Sequence, residues 1–433
     1  MFPLMPAARG GGREFLLDYF EEPAKMMSFI FLKGYQWPFD AEKIFGGSSV
    51  IDLLVYQETI LKGRRVFLDF RRNTGNCPIN FADLSKEACG YLDNAGACFG
   101  TPIERLVHMN EPAVRFYQEH GVDLYQEMLE IAVCAQHNNG GLAVDDGWET
   151  NIGGVFAIGE VSGTHGVARP GGTALNAGQV GAFRAAERIA GLCESRNRGG
   201  DEEKESLSQQ AMDRIRLLEE CHGTVSAGEL WKKAAERMSR YGGMIRDEKG
   251  LEKALEETEK ELASFTGLVA RPKPGQAGLF YHLYDMLVAQ RVYLRAMLDY
   301  IREGGGSRGS CLYTCPDGDK PGEKMPELYR CRLDKGAHGG RVQEVQLKGG
   351  ECEVTWRPVR PLPETDYCFE TQWKSFRERS IGHHLSEEEG KEQHCEKDRD
   401  RHDRKRFQRQ TPWGGIQGDS GSGDCSGGSG LCG

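Results

Sequence analysis

The sequence has no apolar run long enough to cross a bilayer. Its longest, such as MMSFIFL at 26–32 and GGVFAIG at 153–159, fall far short of the roughly 20 residues a spanning helix needs. No basic stretch, apolar stretch and small-residue cleavage site opens the chain. No secretory signal is read, and the expected compartment is the cytoplasm. An excess of positive charge is also missing: 55 basic residues stand against 65 acidic ones, a net charge of −10. That excludes general nucleic-acid binding through a basic face, though not a local cationic pocket for an acidic small molecule. The 14 cysteines include no C-x-x-C pair. Cys311 and Cys315 stand four apart with no second pair at zinc-site spacing. The cysteines read as reduced structural thiols, and no metal site is assigned. His383, His384, His394 and Cys395 carry ligand chemistry, but in a polar tail that fixes no geometry. No G-x-G-x-x-G opens a helix, and no internal repeat is present.

What is present is organised in blocks. A chain of 433 residues exceeds one simple core, so two or three domains are expected. The fold class expected is mixed α/β, followed by a helical domain. Residues 1–133 read as mixed α/β. GRRVFLDF (63–70) has the alternation of a strand through Val66, Leu68 and Phe70. EPAVRFYQEHGVD (111–123) reads as a helix with a proline near its start and Gly121 near its end. Residues 134–193 form a glycine-rich block, and a polar linker follows at 194–206.

From 207 to 303 the pattern is helical. Phe280, Leu283, Leu287, Gln290, Leu294, Met297 and Ile301 step by three and four along the last helix. This stripe predicts packing within a bundle. A coiled-coil dimer is the alternative, but Gln290 interrupts its few heptads. Residues 304–383 read as a small β-containing subdomain, with strands at 341–347 and 351–359. Residues 384–433 read as a disordered tail.

The glycine-rich block carries the chemistry. Val155–Ile158 is a short, wholly apolar stretch, as expected of a strand buried on both faces of a parallel sheet. From Thr173 to Ala190 the apolar residues Leu175, Val180, Phe183, Ala186 and Ile189 are spaced for one helical face. The unit is then strand, glycine loop, helix. Ligands in α/β sheets sit at the carboxyl ends of strands, where this loop lies. Gly163, Gly166, Gly171 and Gly172 let backbone approach a flat ligand. A helix starting near Thr173 offers free N–H groups and a partial positive charge. Glu160 is an acceptor suited to sugar hydroxyls, Arg169 a forked donor suited to a carboxylate, and His137 a second donor on another loop. Taken singly, each has a plain structural alternative; the constellation is harder to dismiss.

Three motifs occur in order: H-N-N-G-G (137–141), T-N-I-G-G-V-F-A-I-G-E (150–160) and T-H-G-V-A-R-P-G-G-T-A-L (164–175). This series resembles the C-terminal FAD-binding segment of the succinate dehydrogenase/fumarate reductase flavoprotein family, to which L-aspartate oxidase is related. The strong likeness covers about 60 residues, and a looser one reaches through 207–310 to S-R-G at 307–309. The resemblance implies an FAD-dependent oxidoreductase. It would move a hydride between flavin N5 and a carbon beside a carboxylate, in a dicarboxylate or an amino acid. It implies that Glu160 binds the FAD ribose and that His137 and Arg169 clamp substrate carboxylates. Backbone at Ala174 and Leu175 would lie against the flavin pyrimidine edge, where the helix end favours negative charge. The implied cofactor-binding set also includes Gly140, Gly141, Gly159, His165, Gly166, Gly172 and Thr173. The family's proton-transferring arginine lies in R-G-E-G-G. The nearest match is Arg9 in A-A-R-G-G-G-R-E-F, with glycine in place of the glutamate.

One family feature is missing from the sequence: the strand–GxGxxG–helix unit that holds the FAD pyrophosphate. The expectation is a piece of a longer reading frame. Its natural partners would be an N-terminal FAD-binding half or an electron-transfer subunit. The alternative is a non-catalytic remnant, a helical interaction module that does not bind FAD. Residues 1–133 would then be the substrate-side capping region and 134–193 the end of the FAD-binding domain.

Overall fold

The computed structural model describes residues 4–8, 11–36, 38–134, 139–165, 173–195 and 201–359. Its strands are β1 (Leu4–Ala8), β2 (Gly11–Gly12), β3 (Arg65–Leu68), β4 (Leu129–Ile131), β5 (Ile245–Arg246), β6 (Leu312–Asp319), β7 (Arg341–Lys348) and β8 (Glu351–Pro358). The helices of the first half are α1 (Pro23–Tyr35), α2 (Val50–Tyr56), α3 (Lys86–Asn94), α4 (Pro102–Glu119) and α5 (Thr173–Ser195). Those of the second half are α6 (Asp201–Glu219), α7 (Ala227–Tyr241), α8 (Glu248–Ala263), α9 (Phe265–Leu268) and α10 (Ala277–Arg302). Contacts divide the chain into two units. The first is 1–136 with 198–359, and the second is 137–197 with 360–433.

The first unit holds a four-stranded sheet in the order β2-β1-β3-β4, antiparallel throughout. Leu4 faces Leu68 across it, and Val66 faces Ile131. The described residues of this region are therefore mixed α/β, as expected, and the strand read at 63–70 is β3 of this sheet. Val66 and Phe67 are both buried, so core packs on both faces of β3. Helices α1 and α2 supply much of that core through Met26, Phe31, Leu53 and Leu54. The predicted helix at 111–123 is the second half of α4. Its backbone leaves helical geometry at Asn110 (φ −159°, ψ 66°), one residue before Glu111 and two before Pro112. Asn110 then caps the restart by accepting from the Ala113 N–H at 3.3 Å. Sequence reading found the restart but not the first two turns, which begin at Thr101 with a capping box to Glu104.

Arg105, on that first half, is buried with no ion-pair partner among the described residues. It donates to the carbonyls of Phe99 and Gly100, each at 2.7 Å, and to Asn73 Oδ1 at 2.8 Å. Burial pulls its pKa down to about 10, which leaves it charged at neutral pH. It ties the loop before α4 to the loop after β3.

Helices α7, α8 and α10 pack together, with α7 started by the Ser226–Glu229 capping box and α8 by Asp247. The predicted stripe on α10 is buried at Phe280, Leu283, Leu287, Gln290 and Leu294. Gln290 is accommodated because its Nε2 donates to the Ala234 carbonyl at 2.7 Å. The hairpin β7–β8 matches the two predicted strands to within one residue at each end. It is fastened to α10 by Gln343 and Trp356, which donate to Asp299 at 2.9 and 2.8 Å. The predicted tail, 384–433, lies outside the described residues. Among the described residues, no helix is long and apolar enough to cross a membrane, and no cluster of potential metal ligands occurs.

Candidate functional site

The second unit is built from a hairpin, two tight turns and α5. Asp145 starts the hairpin. Its Oδ1 accepts from the N–H groups of Gly147 (2.8 Å) and Glu149 (2.9 Å), folding Asp-Asp-Gly-Trp into a turn. Trp148 takes a left-handed backbone conformation (φ 63°) that side chains rarely adopt. The position where Gly181 of α5 would carry a Cβ is taken by the Trp148 indole, 2.7 Å from Nε1. Glu149 is buried and accepts from the Gly154 N–H at 2.7 Å, closing the second turn of the hairpin.

Here two expectations are corrected. Val155–Ile158 is not a strand buried in a parallel sheet. It makes a single antiparallel bridge, Phe156 to Glu149, with the Thr150 N–H donating to Val155 O and the Ala157 N–H to Trp148 O. Ala157 is buried, but Val155 is 46% exposed and Ile158 40% exposed. A run of four apolar residues signals burial, not what covers it. The predicted apolar face of α5 is likewise open: Val180, Phe183 and Ile189 are exposed, and Leu175 is 78% exposed. The buried line of α5 runs instead through Gly181 and Ala185.

Beyond the hairpin, Gly141 lies against the backbone of Val161–Gly163. A Cβ there would meet Val161 O at 2.4 Å and Ser162 C at 2.7 Å, so only glycine permits the approach. The contact is locked by Leu142 N–H to Val161 O (2.8 Å) and Gly163 N–H to Leu142 O (3.0 Å). Gly159 turns the chain with φ +74°. Buried Ser162 holds that turn by donating to Gly159 O at 2.7 Å. Gly159 also lies against Gly178 of α5, where a Cβ on Gly178 would meet Gly159 Cα at 3.7 Å, so the Gly159–His165 segment runs alongside the start of the helix.

Between the two lies an open cavity of ≈ 540 Å³. The turn side contributes Gly159, Glu160 and His165, and α5 contributes Ala174, Leu175, Gly178, Gln179 and Ala182. Five of the residues predicted from sequence thus line one surface: Gly159, Glu160, His165, Ala174 and Leu175. Thr173 begins α5 outside the lining, and Gly140 and Gly141 lie before the turns they support. Arg9, His137, Gly166, Arg169 and Gly172 lie outside the described residues. Sequence reading missed Gly178, Gln179 and Ala182. The signal was available, since steps of three, four and seven from Leu175 mark one helix face. Nothing in the sequence pointed to Trp148 or its partner Gly181.

The lining suits part of a dinucleotide. Small residues at 159, 174, 178 and 182 leave room for a flat ring. Glu160 is exposed and offers a carboxylate to hydroxyls. The first N–H groups of α5 have no intrahelical acceptor and face an electron-rich edge well.

The comparisons agree with this chemistry. The family described as "FAD binding domain" matches residues 62–175. An uncharacterized FAD-dependent oxidoreductase of Methanocaldococcus jannaschii is 31% identical over 212 residues, covering 48% of this chain and 37% of that protein. A chain of the fumarate reductase (CoM/CoB) of Methanothermobacter marburgensis is 32% identical over 155 residues, 36% of this chain and 28% of its own. The fumarate reductase flavoprotein subunit of Haemophilus influenzae is 29% identical over 167 residues, 35% of this chain and 25% of its own. A quinol-fumarate reductase structure with menaquinol shares the fold, with a TM-score of 0.51 at 16% identity over 84% of this chain and 56% of that one. The matched segment defines an FAD-binding flavoprotein, with FAD as its cofactor. Within that class, the chain is related to the succinate dehydrogenase/fumarate reductase flavoprotein family. It spans well under half the length of these curated relatives.

Proposed function

We propose that this chain forms the substrate-side and C-terminal cofactor-holding portion of an FAD-dependent oxidoreductase of the fumarate reductase type. The observation that carries the reading is the cavity between the Gly159–His165 turns and α5. It gathers residues whose chemistry suits a flavin and its sugar. Bound flavin supplies a two-electron donor and acceptor at N5. In this reading Glu160 accepts from sugar hydroxyls. The start of α5 places N–H groups and a partial positive charge against the edge of the ring that gains negative charge. His137 and Arg169, assigned from the sequence pattern, orient the carboxylates of a dicarboxylate or amino acid. The charge of Arg169 and the N–H donor of His137 favour electron density building beside those carboxylates. Arg9 is the assigned proton carrier. An electron-transfer subunit, or a polypeptide carrying the dinucleotide-binding half, completes the system.

The test is flavin retention. The folded protein, mixed with FAD and passed through a desalting column, should carry flavin absorbance. Glu160→Ala should reduce it. Reduced flavin on the protein should be reoxidised by fumarate, and more slowly in His137→Ala and Arg169→Ala. A folded, FAD-supplemented protein that retains no flavin refutes the reading and supports the helical interaction module instead.

A further inference from the structure

Trp148 carries two costs, and no motif assigned it a role. Its backbone is left-handed (φ 63°), a conformation that strains a bulky residue. Its buried indole N–H meets no acceptor among the described residues, so packing holds the ring in place. What the strained conformation achieves is a set of contacts. The Trp148 carbonyl accepts from the Ala157 N–H at 3.1 Å, on the arm that leads into the Gly159 turn. The indole rests on α5 at Gly181, where its Nε1, Cε2 and Cδ1 stand 2.7, 3.0 and 3.2 Å from the position a Cβ would take. Beside it, the Cβ position of Gly147 is 3.1 Å from Arg188 Cγ, a second point of contact with the same helix.

These contacts close a loop of neighbours behind the cavity. Trp148 is bonded to Ala157, two residues before Gly159. Gly159 lies against Gly178, and Gly181, three residues further along α5, carries the indole. The cavity walls are the Gly159–His165 segment and α5. At the Gly159–Gly178 contact two residues without side chains meet at one point, and a helix held there alone can pivot. The indole at Gly181, roughly 4.5 Å further along the axis, supplies a second point and fixes the angle between the walls. Displacing the ring therefore tilts the start of α5, whose first N–H groups have no intrahelical acceptor. We propose that Trp148 is a positioning residue that, through Gly181, sets the spacing of the cavity and the aim of the α5 terminus at the bound cofactor. The inference deepens the flavin reading and rests on it.

The experiment measures, on the full chain, the FAD dissociation constant by equilibrium dialysis and the midpoint potential of the bound flavin. Gly181→Ala places a methyl group where the indole lies, and Trp148→Phe shortens the ring that rests on Gly181. Each should bind FAD roughly fivefold more weakly, the low end of the cost of an ill-fitting contact. The potential of the bound flavin should fall in each, because a displaced helix end supports the reduced, negatively charged ring less. The double variant should recover part of the loss, since the smaller ring leaves room for the methyl group. Gly191→Ala is the control: it adds the same methyl group to the same helix with nothing within 4 Å, and it should match the wild type in both measurements. Wild-type affinity and potential in both single variants overturn the assignment, whatever happens to the urea midpoint. Single losses that simply multiply in the double variant overturn it too. If circular dichroism shows Gly181→Ala unfolded, Trp148→Phe alone should still lower affinity and potential. Wild-type protein that binds no FAD overturns the flavin reading itself, and this inference with it.

Discussion

Gly141→Ala perturbs the closest backbone contact of the candidate site. The added Cβ would sit 2.4 Å from Val161 O, 2.7 Å from Ser162 C and 2.8 Å from Gly163 N. All three are backbone atoms, so no side chain can swing away to relieve the clash. The segment must separate, and two hydrogen bonds cross the gap: Leu142 N–H to Val161 O and Gly163 N–H to Leu142 O. Two bonds at about 0.5–1.5 kcal/mol each, with an overpacking cost of about 1 kcal/mol or more, give ~3 kcal/mol. That is roughly a 150-fold rise in local opening. Gly153→Ala is the matched control, since a Cβ there meets nothing within 4 Å. Amide hydrogen exchange at Leu142 and Gly163 should accelerate by about two orders of magnitude in Gly141→Ala and remain unchanged in Gly153→Ala. Equal protection of both amides in the two variants would refute the reasoning, showing that the close approach is not maintained in solution.

Two further outcomes are expected. Arg105→Ala leaves the Phe99 carbonyl and Asn73 Oδ1 without their donor, at about 1–3 kcal/mol each. Urea unfolding should show a loss of ~3 kcal/mol, and a change below about 0.5 kcal/mol contradicts the role given to Arg105. Asp69 reports on acid stability. Burial pushes its carboxyl up, but hydrogen bonds from Arg71 and the charges of Arg71 and Arg72 outweigh this and hold it below the ordinary carboxylate range. The folded state therefore binds fewer protons than the unfolded chain near pH 4. Its stabilisation is present above about pH 4 and is lost as acid titrates the folded carboxyl. Asp69→Asn should lower the urea midpoint near pH 7 and flatten its decline towards about pH 3. A variant whose midpoint falls as steeply with acid as the wild type rules out this source.

The flavin assignment was legible in the sequence through its resemblance to a known family, carried by motifs that lie close together between residues 137 and 175. Glycines at fixed offsets, a carboxylate after an apolar run and a small-residue helix start by themselves point only to a loop that meets a ligand at close range. Local pattern alone sufficed for the α10 stripe, whose spacing states which side is buried, and for the hairpin β7–β8, whose two strands flank Gly349–Gly350. Long-range pairing decided the rest. Four apolar residues at 155–158 are compatible with a buried parallel strand or with one arm of a hairpin, and only the Asp145 turn and the Glu149–Phe156 bridge select the hairpin. Whether the apolar face of α5 is covered depends on what packs against it, which helical spacing does not encode. The Trp148–Gly181 contact joins residues 33 positions apart through a left-handed turn, and no periodic pattern signals it. Gln179 lies between these cases: its helix face could be counted from the sequence, but its place in one cavity with Glu160 depended on the approach of Gly159 to Gly178, which sets the turn against the helix.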